Sequence, residues 1–323
     1  MRRRQLLIAS CLTVLAPYSF AQKKEAIHRI GLVWLGGGQA SKYKEALIAG
    51  LRERGYVNGR NIELLDRTQF TRYEELASSV KELLQAKVEL IVSYGSEAPR
   101  AVRSATSTIP IVVVGTDPIR AGLARSLSRP GGNMTGIATL TSDLLGKRLE
   151  LLKDCVPISG EIAVLLNPGS ETSVGMLPTV EAEARRLKVQ FYVIEARTTE
   201  DLVLAFARAA KAHTSALYIL PSTMFTAHRE QIASLALKHR MAAIGSNPEY
   251  VDAGLLLAYS ANIEHLFRRA AGYVARILKG EAPAQMPIEQ ASEFELAINL
   301  KTAKALGIKI PEAVRFRATK LVE

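Results

Sequence analysis

Small polar residues follow several predicted strands at the points where the chain turns into a helix. A Gly-Ser step occurs at three of these turns, and a Thr-Asp or Ser-Thr pair takes the same place at two others: Gly95-Ser96-Glu97, Gly169-Ser170-Glu171, Gly245-Ser246, Thr116-Asp117 and Ser222-Thr223. Glycine lets the backbone turn close to a ligand, and free N–H groups at a helix N-terminus attract an anion such as a carboxylate. Each Ser, Thr or Asp could instead be only a helix cap. Five such turns together favour a shared ligand-binding cleft.

One of these turns ends a short β-branched run. Residues 111–114 read Ile-Val-Val-Val, and the turn Gly115-Thr116-Asp117-Pro118 leads into a polar stretch that reaches Thr139. An apolar run bounded by Gly and Pro is typical of a buried strand in a parallel sheet. Open α/β sheets bind ligands at the carboxyl ends of their strands. We therefore expect Thr116, Asp117 and Thr139 at the cleft.

A glycine-rich loop, residues 36–38, follows the first predicted strand. With Ser41 it forms a G-x-G-x-x-S pattern, and Asp66 ends the second strand, which is close to the dinucleotide-binding fingerprint. The third small position is Ser rather than Gly or Ala. We favour a glycine turn in which Gly37 and Gly38 leave room for a ligand or for domain closure. Trp34, just before the loop, could either stack on the ligand or fill the core.

Catalytic and metal-binding patterns are absent from the sequence. There is no G-x-S-x-G motif, and the five histidines show neither H-x-H nor H-E-x-x-H spacing. Cys155 lies in an apolar pattern, which predicts a buried thiol rather than a reactive one. The sequence thus predicts no enzyme activity, no catalytic residue, no metal site and no cofactor.

The length and charge of the chain narrow the possible architectures and partners. A chain of 323 residues is about twice a typical domain of 100–200 residues, so two lobes are expected. The formal net charge is +11, but Lys and Arg are scattered without a run of four or more. This distribution does not predict a nucleic-acid-binding surface.

The first 21 residues have the pattern of a signal peptide. Three arginines precede an apolar segment, Leu6–Ala16, and small residues precede a cleavage site after Ala21. The apolar segment is too short to span a bilayer. We expect a mature chain that begins at Gln22, carries a net charge of +8 and resides in the periplasm. Lipidation at Cys11 is an alternative, because residues 8–11 loosely resemble a lipobox.

Predicted strands and helices alternate through two successive halves, which is the pattern of doubly wound parallel sheets. A long amphipathic helix between Asn262 and Gly280 comes after both halves. We expect the tail to cross between the lobes as a multi-strand hinge. The predicted limits are residues 22–140 plus about 262–287 for lobe one, and 141–261 plus about 288–323 for lobe two, with the ligand cleft between them.

Seven sequence segments resemble those of a known family. They are residues 50–61, 106–118, 127–136, 146–153, 267–271, 277–280 and 294–307. Together they resemble the solute-binding proteins of bacterial ABC transporters. Within that family they are similar to the subgroup with a type I periplasmic-binding fold, which includes tryptophan- and tyrosine-binding members. The likeness covers about residues 29–320.

The resemblance implies a monomeric two-lobed receptor that closes on a small solute and is then recognised by a membrane permease. By family association the solute is an aromatic or branched amino acid or a related carboxylate. The implied ligand-binding residues are Ser96, Glu97, Thr116 and Asp117 in lobe one, and Asn167, Ser170, Glu171, Thr172, Ser222 and Ser246 in lobe two. The family often has Thr-Pro where this chain has Ser96-Glu97, so Glu97 could meet a ligand ammonium group instead of a carboxylate.

Other classes of function remain as alternatives. A periplasmic sensor module that passes its ligand-bound state to a receptor kinase would have the same architecture. An exported enzyme lacks a catalytic set, and a repressor is disfavoured by the export signal and by the absence of a helix-turn-helix before Ile30.

Overall fold

The computed structural model describes residues 27–35, 40–68, 74–95, 97–139, 141–158 and 160–323. The predicted signal peptide, Cys11, Gly37, Gly38 and Ser96 lie outside these ranges. Within the ranges, no helix has both the length and the apolar character that a membrane span requires.

Strands and helices alternate along the whole chain. The first half contains β1 (His28–Val33), α1 (Ala40–Arg52), β2 (Ile62–Arg67), α2 (Glu74–Gln85), β3 (Leu90–Tyr94), α3 (Glu97–Ala105), β4 (Ile111–Thr116) and β5 (Met134–Ala138). The second half contains α4 (Thr141–Cys155), β6 (Ile162–Leu166), α5 (Glu171–Leu187), β7 (Phe191–Glu195), α6 (Thr199–Lys211), β8 (Ala216–Ile219), α7 (Thr223–Ala227), α8 (Arg229–Lys238), β9 (Ala242–Gly245), α9 (Glu249–Asp252) and β10 (Leu257–Ala261). The tail contains α10 (Ile263–Leu278), a 3₁₀ turn (Pro283–Gln285), β11 (Glu289–Gln290), β12 (Phe294–Asn299), α11 (Leu300–Leu306), α12 (Glu312–Phe316) and β13 (Lys320–Val322).

The strands form two sheets. The first has the order β11-β5-β4-β3-β1-β2 and the second has the order β13-β12-β10-β9-β8-β6-β7. Every neighbouring pair is parallel except β10 and β12, which are antiparallel. The prediction of an α/β fold with two doubly wound, mainly parallel sheets is confirmed. We call the first sheet with α1–α3 and α10 lobe one, and the second sheet with the remaining helices lobe two.

Three chain crossings connect the lobes: from β5 to α4, from β10 to α10, and from β11 to β12. The multi-strand hinge therefore follows from the order of the strands. β11 pairs with β5, so Glu289 and Gln290 belong to the first sheet although they lie beyond the predicted boundary at residue 287. The complete limits of the lobes stay a prediction.

Lobe one uses a helix from the tail to complete its core. Leu266, Phe267 and Val274 of α10 are buried in the same cluster as strands β1, β3 and β4. Helix α10 packs closely against α1, because a Cβ atom at Gly50 would lie 2.5 Å from the carbonyl oxygen of Arg268. Only glycine allows this approach of the two helices.

One predicted helix is wrong in its extent. The pattern predicts a single helix over residues 225–239, but α7 and α8 are divided at His228, where the backbone has φ −105° and ψ 25°. The earlier start of α7, at Thr223, places its first turn directly at the carboxyl end of β8.

Candidate ligand-binding site

A cavity of about 440 Å³ lies between the two lobes. Lobe one contributes Gly115 of β4 and residues that follow β1, β3 and β5, and lobe two contributes residues of α4, α5, α7 and the loops after β8 and β9. The size lies within the range of about 300–1,000 Å³ that is usual for small-molecule sites.

Six of the predicted ligand-binding residues line this cavity: Glu97, Thr139, Thr172, Ser222, Thr223 and Ser246. Ser222 precedes α7 but makes no side-chain cap hydrogen bond. Its Oγ instead accepts a hydrogen bond from Asn167 Nδ2 at 3.0 Å. The alternative that Ser222 serves only as a helix cap is therefore wrong for this residue.

Five other predicted residues do not line the cavity, and each makes a local contact. Thr116 Oγ1 donates to the carbonyl oxygen of Gly95, and Asp117 Oδ1 accepts from the N–H of Arg120. The Asn167 side chain donates a hydrogen bond to Ser222 and accepts one from the N–H of Gly169. Ser170 is the N-cap of α5, where its side chain accepts from the N–H of Ser173. Glu171 forms an ion pair with Arg100.

Aromatic side chains form the lobe-one wall of the cavity. Trp34, Tyr43 and Tyr94 line it, and their rings all contact Phe267 of α10 at centroid distances of 5.0–5.5 Å. Trp34 is only 1% exposed, so it fills the core and also borders the cavity. Its buried Nε1 donor finds no hydrogen-bond acceptor among the described residues.

Arg148 of α4 lies at the lobe-two side of the cavity and is 3% exposed. Its Nε donates to the carbonyl oxygen of Tyr259 at 2.7 Å, but Nη1 has no acceptor in the described part of the chain. Within the described ranges this guanidinium group has no carboxylate partner. A buried charge without a partner is costly, so an anionic ligand group would satisfy Arg148.

The nearby Tyr218 does not supply the missing charge. Burial raises the pKa of its hydroxyl group to about 12, although the Arg148 guanidinium opposes this shift. The hydroxyl group is therefore neutral at pH 7, and it donates to the carbonyl oxygen of Leu145 at 3.0 Å.

Glu249, at the start of α9, is the second charged group with an unsatisfied atom. Its Oε1 accepts a hydrogen bond from the Tyr43 hydroxyl group at 3.1 Å, while the buried Oε2 has no partner that the structure describes. Burial, and secondarily Tyr94 and Glu249, raise the pKa of Tyr43 well above its usual value, so the hydroxyl group remains a donor. Glu249 borders the same cavity as Arg148.

Among the described residues, four side-chain hydrogen bonds join the two lobes. Besides Tyr43 with Glu249, these are Thr172 with Glu97 at 3.3 Å, Arg100 with Glu171 at 2.9 Å, and Arg120 with Thr179 at 3.3 Å. Contacts of this kind join the lobes around the cavity. The arrangement is a closed one.

Asp66 bears on the dinucleotide alternative. Its carboxylate accepts hydrogen bonds from Lys44 Nζ and Thr68 Oγ1, both at 2.6 Å. Burial would raise the pKa of Asp66, but these two hydrogen bonds outweigh it and lower the pKa. Because Lys44 already neutralises this carboxylate, Asp66 is not available in the way that ribose recognition requires.

Cys155 is buried, as predicted, and burial raises the pKa of its thiol to about 11. In the described part of the chain, no three His, Cys, Asp or Glu side chains converge as a metal site would require.

Arg148 and Glu249 were not among the predicted ligand-binding residues. The available signal for Arg148 was a charge on an apolar helix stripe, since Leu144, Leu145, Leu151 and Leu152 lie three or four positions away. For Glu249 the signal was its position four residues beyond the end of β9.

Known proteins resemble this chain in sequence and in fold. A tyrosine-binding protein of Clostridioides difficile (strain R20291) is 26% identical over 271 residues, which are 83% of this chain and 77% of that protein. A conserved domain protein from Vibrio cholerae is 27% identical, with a TM-score of 0.83 over 92% of this chain and 100% of that chain. An ABC domain from Streptococcus pneumoniae in complex with L-Trp has the same TM-score and coverage at 22% identity, which shows the fold alone.

The family assignment rests on a longer match. Residues 33–322 match the ABC transporter substrate binding protein family, a family of binding proteins rather than enzymes. The fold is the type I periplasmic-binding fold that the resemblance implied. The chain belongs to the family of ABC transporter substrate binding proteins.

Proposed function

We propose that this protein is an exported receptor of an ABC importer. It closes on a small solute, an aromatic or branched amino acid or a related carboxylate, and delivers the solute to a permease in the inner membrane. It acts as a monomer, without a cofactor and without catalysis.

One observation carries this proposal: the cavity has walls from both lobes, and side chains of both lobes meet around it. A solute in this cavity contacts lobe one and lobe two at once, so it binds the closed arrangement better than an open one. This differential affinity is all that ligand-driven closure requires. A closed form that depends on the solute is the signal that a permease can recognise.

The solute class has two sources of support. Arg148 favours an anionic group on the ligand, and the aromatic wall of Trp34, Tyr43 and Tyr94 favours an apolar side chain. The tyrosine-binding protein of Clostridioides difficile and the L-Trp complex from Streptococcus pneumoniae agree with both features.

Ligand-induced stabilisation tests the proposal. A solute present at 100 times its Kd should add about 2.7 kcal/mol to the free energy of unfolding. We expect this response with L-tyrosine, L-tryptophan, L-phenylalanine or L-leucine, measured by thermal unfolding, and none with sugars or nucleosides. Stabilisation by a sugar or a nucleoside alone would contradict the proposed solute class.

Uptake measurements test the transport role. Cells that lack this protein should lose high-affinity uptake of the solute found by thermal unfolding. Unchanged uptake together with a lost signalling response would instead support the sensor alternative. Mass spectrometry of the exported protein should give a chain that begins at Gln22, whereas a lipid on Cys11 would show anchoring.

A further inference from the structure

Phe316 of α12 has the most exposed large apolar side chain of the described residues. It is 93% exposed, whereas Leu204, the next in order, is 60% exposed. The Phe316 ring belongs to no apolar core cluster in the described part of the chain. Because a lone exposed apolar residue is ordinary on a protein surface, the surroundings of Phe316 decide whether it binds anything.

The backbone on both sides holds Phe316 in solvent. Val314, two residues earlier, is 4% exposed and packs in the core of lobe two. Residues two positions apart in a helix point to nearly opposite sides, so burial of Val314 directs Phe316 outward. Three residues later, the N–H of Thr319 donates to the carbonyl oxygen of Leu296 in β12 at 2.9 Å. The exposure of the ring therefore follows from anchored backbone.

Two arginines flank Phe316 in the sequence. Arg315 and Arg317 are exposed, and neither side chain forms an ion pair or a hydrogen bond with another described residue. Both guanidinium groups are therefore free to bind anions, and arginine binds phosphate groups particularly well. Any surface that the Phe316 ring touches also lies within reach of these two cations.

The surrounding chain adds positive charge. Residues 300–320 contain six Lys or Arg residues but one acidic residue, Glu312. Of these six cations, only Lys320 has an ion-pair partner in the part of the chain that the structure describes, and that partner is Asp252. The segment thus holds a large part of the formal net charge of +11, which attracts anionic surfaces.

An apolar tip between cations matches the layers of a lipid bilayer. Anionic phosphate groups lie outside and apolar chains lie beneath, so a ring and its flanking cations find partners at successive depths. A side chain as exposed as Phe316 projects from the surface and cannot be the floor of a groove. One projecting ring also offers much less area than the roughly 800 Å² that each partner buries in a specific protein interface.

We propose that the segment Arg315-Phe316-Arg317 is a membrane-binding surface for bilayers that contain anionic phospholipids. Phe316 inserts at the boundary between headgroups and acyl chains, while Arg315 and Arg317 bind lipid phosphate groups. The contact is weak and reversible, because stable anchoring needs more buried apolar surface.

This role goes beyond the proposed function and is separate from the solute site. None of the residues that line the cavity between the lobes belongs to the segment 300–320. Membrane contact and solute binding can therefore be measured independently. For a receptor that delivers its solute to a permease, the contact keeps the protein at the membrane in which the permease lies.

Vesicle flotation tests the proposal with the chain that begins at Gln22, because the apolar residues of the predicted signal peptide would bind vesicles on their own. The probes are vesicles of phosphatidylcholine alone and vesicles of equal parts phosphatidylcholine and phosphatidylglycerol. We expect binding to the mixed vesicles to be at least about 10-fold stronger at low salt. This difference should shrink in high salt, which screens the charges.

Two variants assign the contact to this segment. F316A should weaken binding to the mixed vesicles by about 10-fold, because the apolar ring is lost. The double variant R315Q/R317Q should weaken it by about 10-fold or more, because two cations near the lipid phosphate groups are lost. Both variants should keep the solute response of the wild-type protein in thermal unfolding.

Matched controls lie on α6 of lobe two. L204A removes an exposed apolar side chain that has no adjacent arginine, and R208Q/K211Q removes two exposed cations. We expect both controls to bind the mixed vesicles within about 3-fold of the wild-type protein, since α6 carries no aromatic tip between cations. Circular dichroism checks that every variant folds.

The possible results separate this inference from the proposed function. If the wild-type protein binds neither kind of vesicle, or if the variants lose no more affinity than their controls, the membrane-binding surface is refuted while the solute receptor stands. Binding to a single-stranded oligonucleotide without binding to vesicles would also overturn the inference, in favour of a nucleic-acid surface. If no solute stabilises the wild-type protein, the proposed function fails whatever the vesicles show.

Discussion

The Tyr43 hydroxyl group of α1 donates a hydrogen bond to Glu249 Oε1 of α9 across the cleft at 3.1 Å, although the two residues are 206 positions apart. Replacement by phenylalanine keeps the ring against Phe267 and removes only this bond between the lobes. We expect Y43F to weaken ligand affinity by about 2- to 10-fold, as for loss of one hydrogen bond. The control is Y56F, because Tyr56 lies in lobe one outside the cavity. An equal effect of Y56F on calorimetric affinity would refute a role for the hydroxyl group in closure.

Removal of the unpaired charge at Arg148 should affect stability and binding in opposite directions. Methionine fills similar space without a charge, and this relieves a buried guanidinium group that has no counterion. We expect the free energy of unfolding of ligand-free R148M to exceed that of the wild-type protein by about 1 kcal/mol, despite the lost bond to Tyr259. Stabilisation by carboxylate ligands should disappear. Urea denaturation with and without ligand measures both effects, and a strongly destabilised ligand-free variant would argue against an uncompensated charge.

The ion pair between Arg100 and Glu171 should contribute little to closure. The Glu171 side chain is 85% exposed, so solvent and salt screen the interaction. We expect E171Q to change ligand affinity by less than about 3-fold at low salt, with no difference from the wild-type protein in 0.5 M NaCl. A larger loss that persists at high salt would mean that Glu171 contacts the ligand.

Alanine substitutions at two glycines in the contact between α1 and α10 should have opposite effects on stability. A Cβ atom at Gly50 would lie 2.5 Å from the carbonyl oxygen of Arg268, whereas one at Gly272 would meet nothing closer than Arg54 Nε at 3.5 Å. We expect G50A to destabilise lobe one by about 1–3 kcal/mol through overpacking. G272A should stabilise it by about 0.5–1 kcal/mol because alanine favours the helix. Chemical denaturation compares the two variants, and a neutral G50A would show that the helices can separate easily.

The Cys155 thiol should be unreactive in the folded protein. Its pKa is raised to about 11, and the side chain is buried, so little thiolate is present or accessible at pH 8. Because the raised pKa favours the neutral thiol, its contribution to stability is complete below the unfolded-state pKa and is lost as the pH rises toward 11. Alkylation with iodoacetamide should therefore require unfolding. Stability should also fall less steeply between about pH 9 and 11 in C155A than in the wild-type protein.

The periodicity of the sequence was sufficient to predict most of the fold. The run of residues 111–114 is buried at every position because β4 lies inside a parallel sheet with helices on both faces. The apolar stripe after Asn262 recurs at helical spacing and is buried against α1. Asn262 caps this helix by accepting a hydrogen bond from the N–H of His265. Local patterns decide such elements, so one sequence suffices to find them.

The cavity was only partly predictable, because strand-end turns are defined by local sequence and the cavity wall is not. Arg148 lies on a helix next to the more exposed Lys147 and Glu150, and its place on the apolar stripe of that helix does not show that it borders a ligand cavity. The role of Glu249 depends on Tyr43, which reaches it from the other lobe. Such pairings across lobes follow from the assembled fold, not from spacing.

The position of α10 in the chain has a consequence for the order in which the protein is made. Lobe one needs Leu266, Phe267 and Val274 to cover β1, β3 and β4, but these residues are synthesised after all of α4–β10. A nascent chain that ends at residue 261 has the complete β6–β10 segment, but its first sheet still lacks α10 and β11. Lobe one is thus completed by α10 and β11, and lobe two later still by β12 and β13, so neither lobe is complete until the final sixty residues have been synthesised.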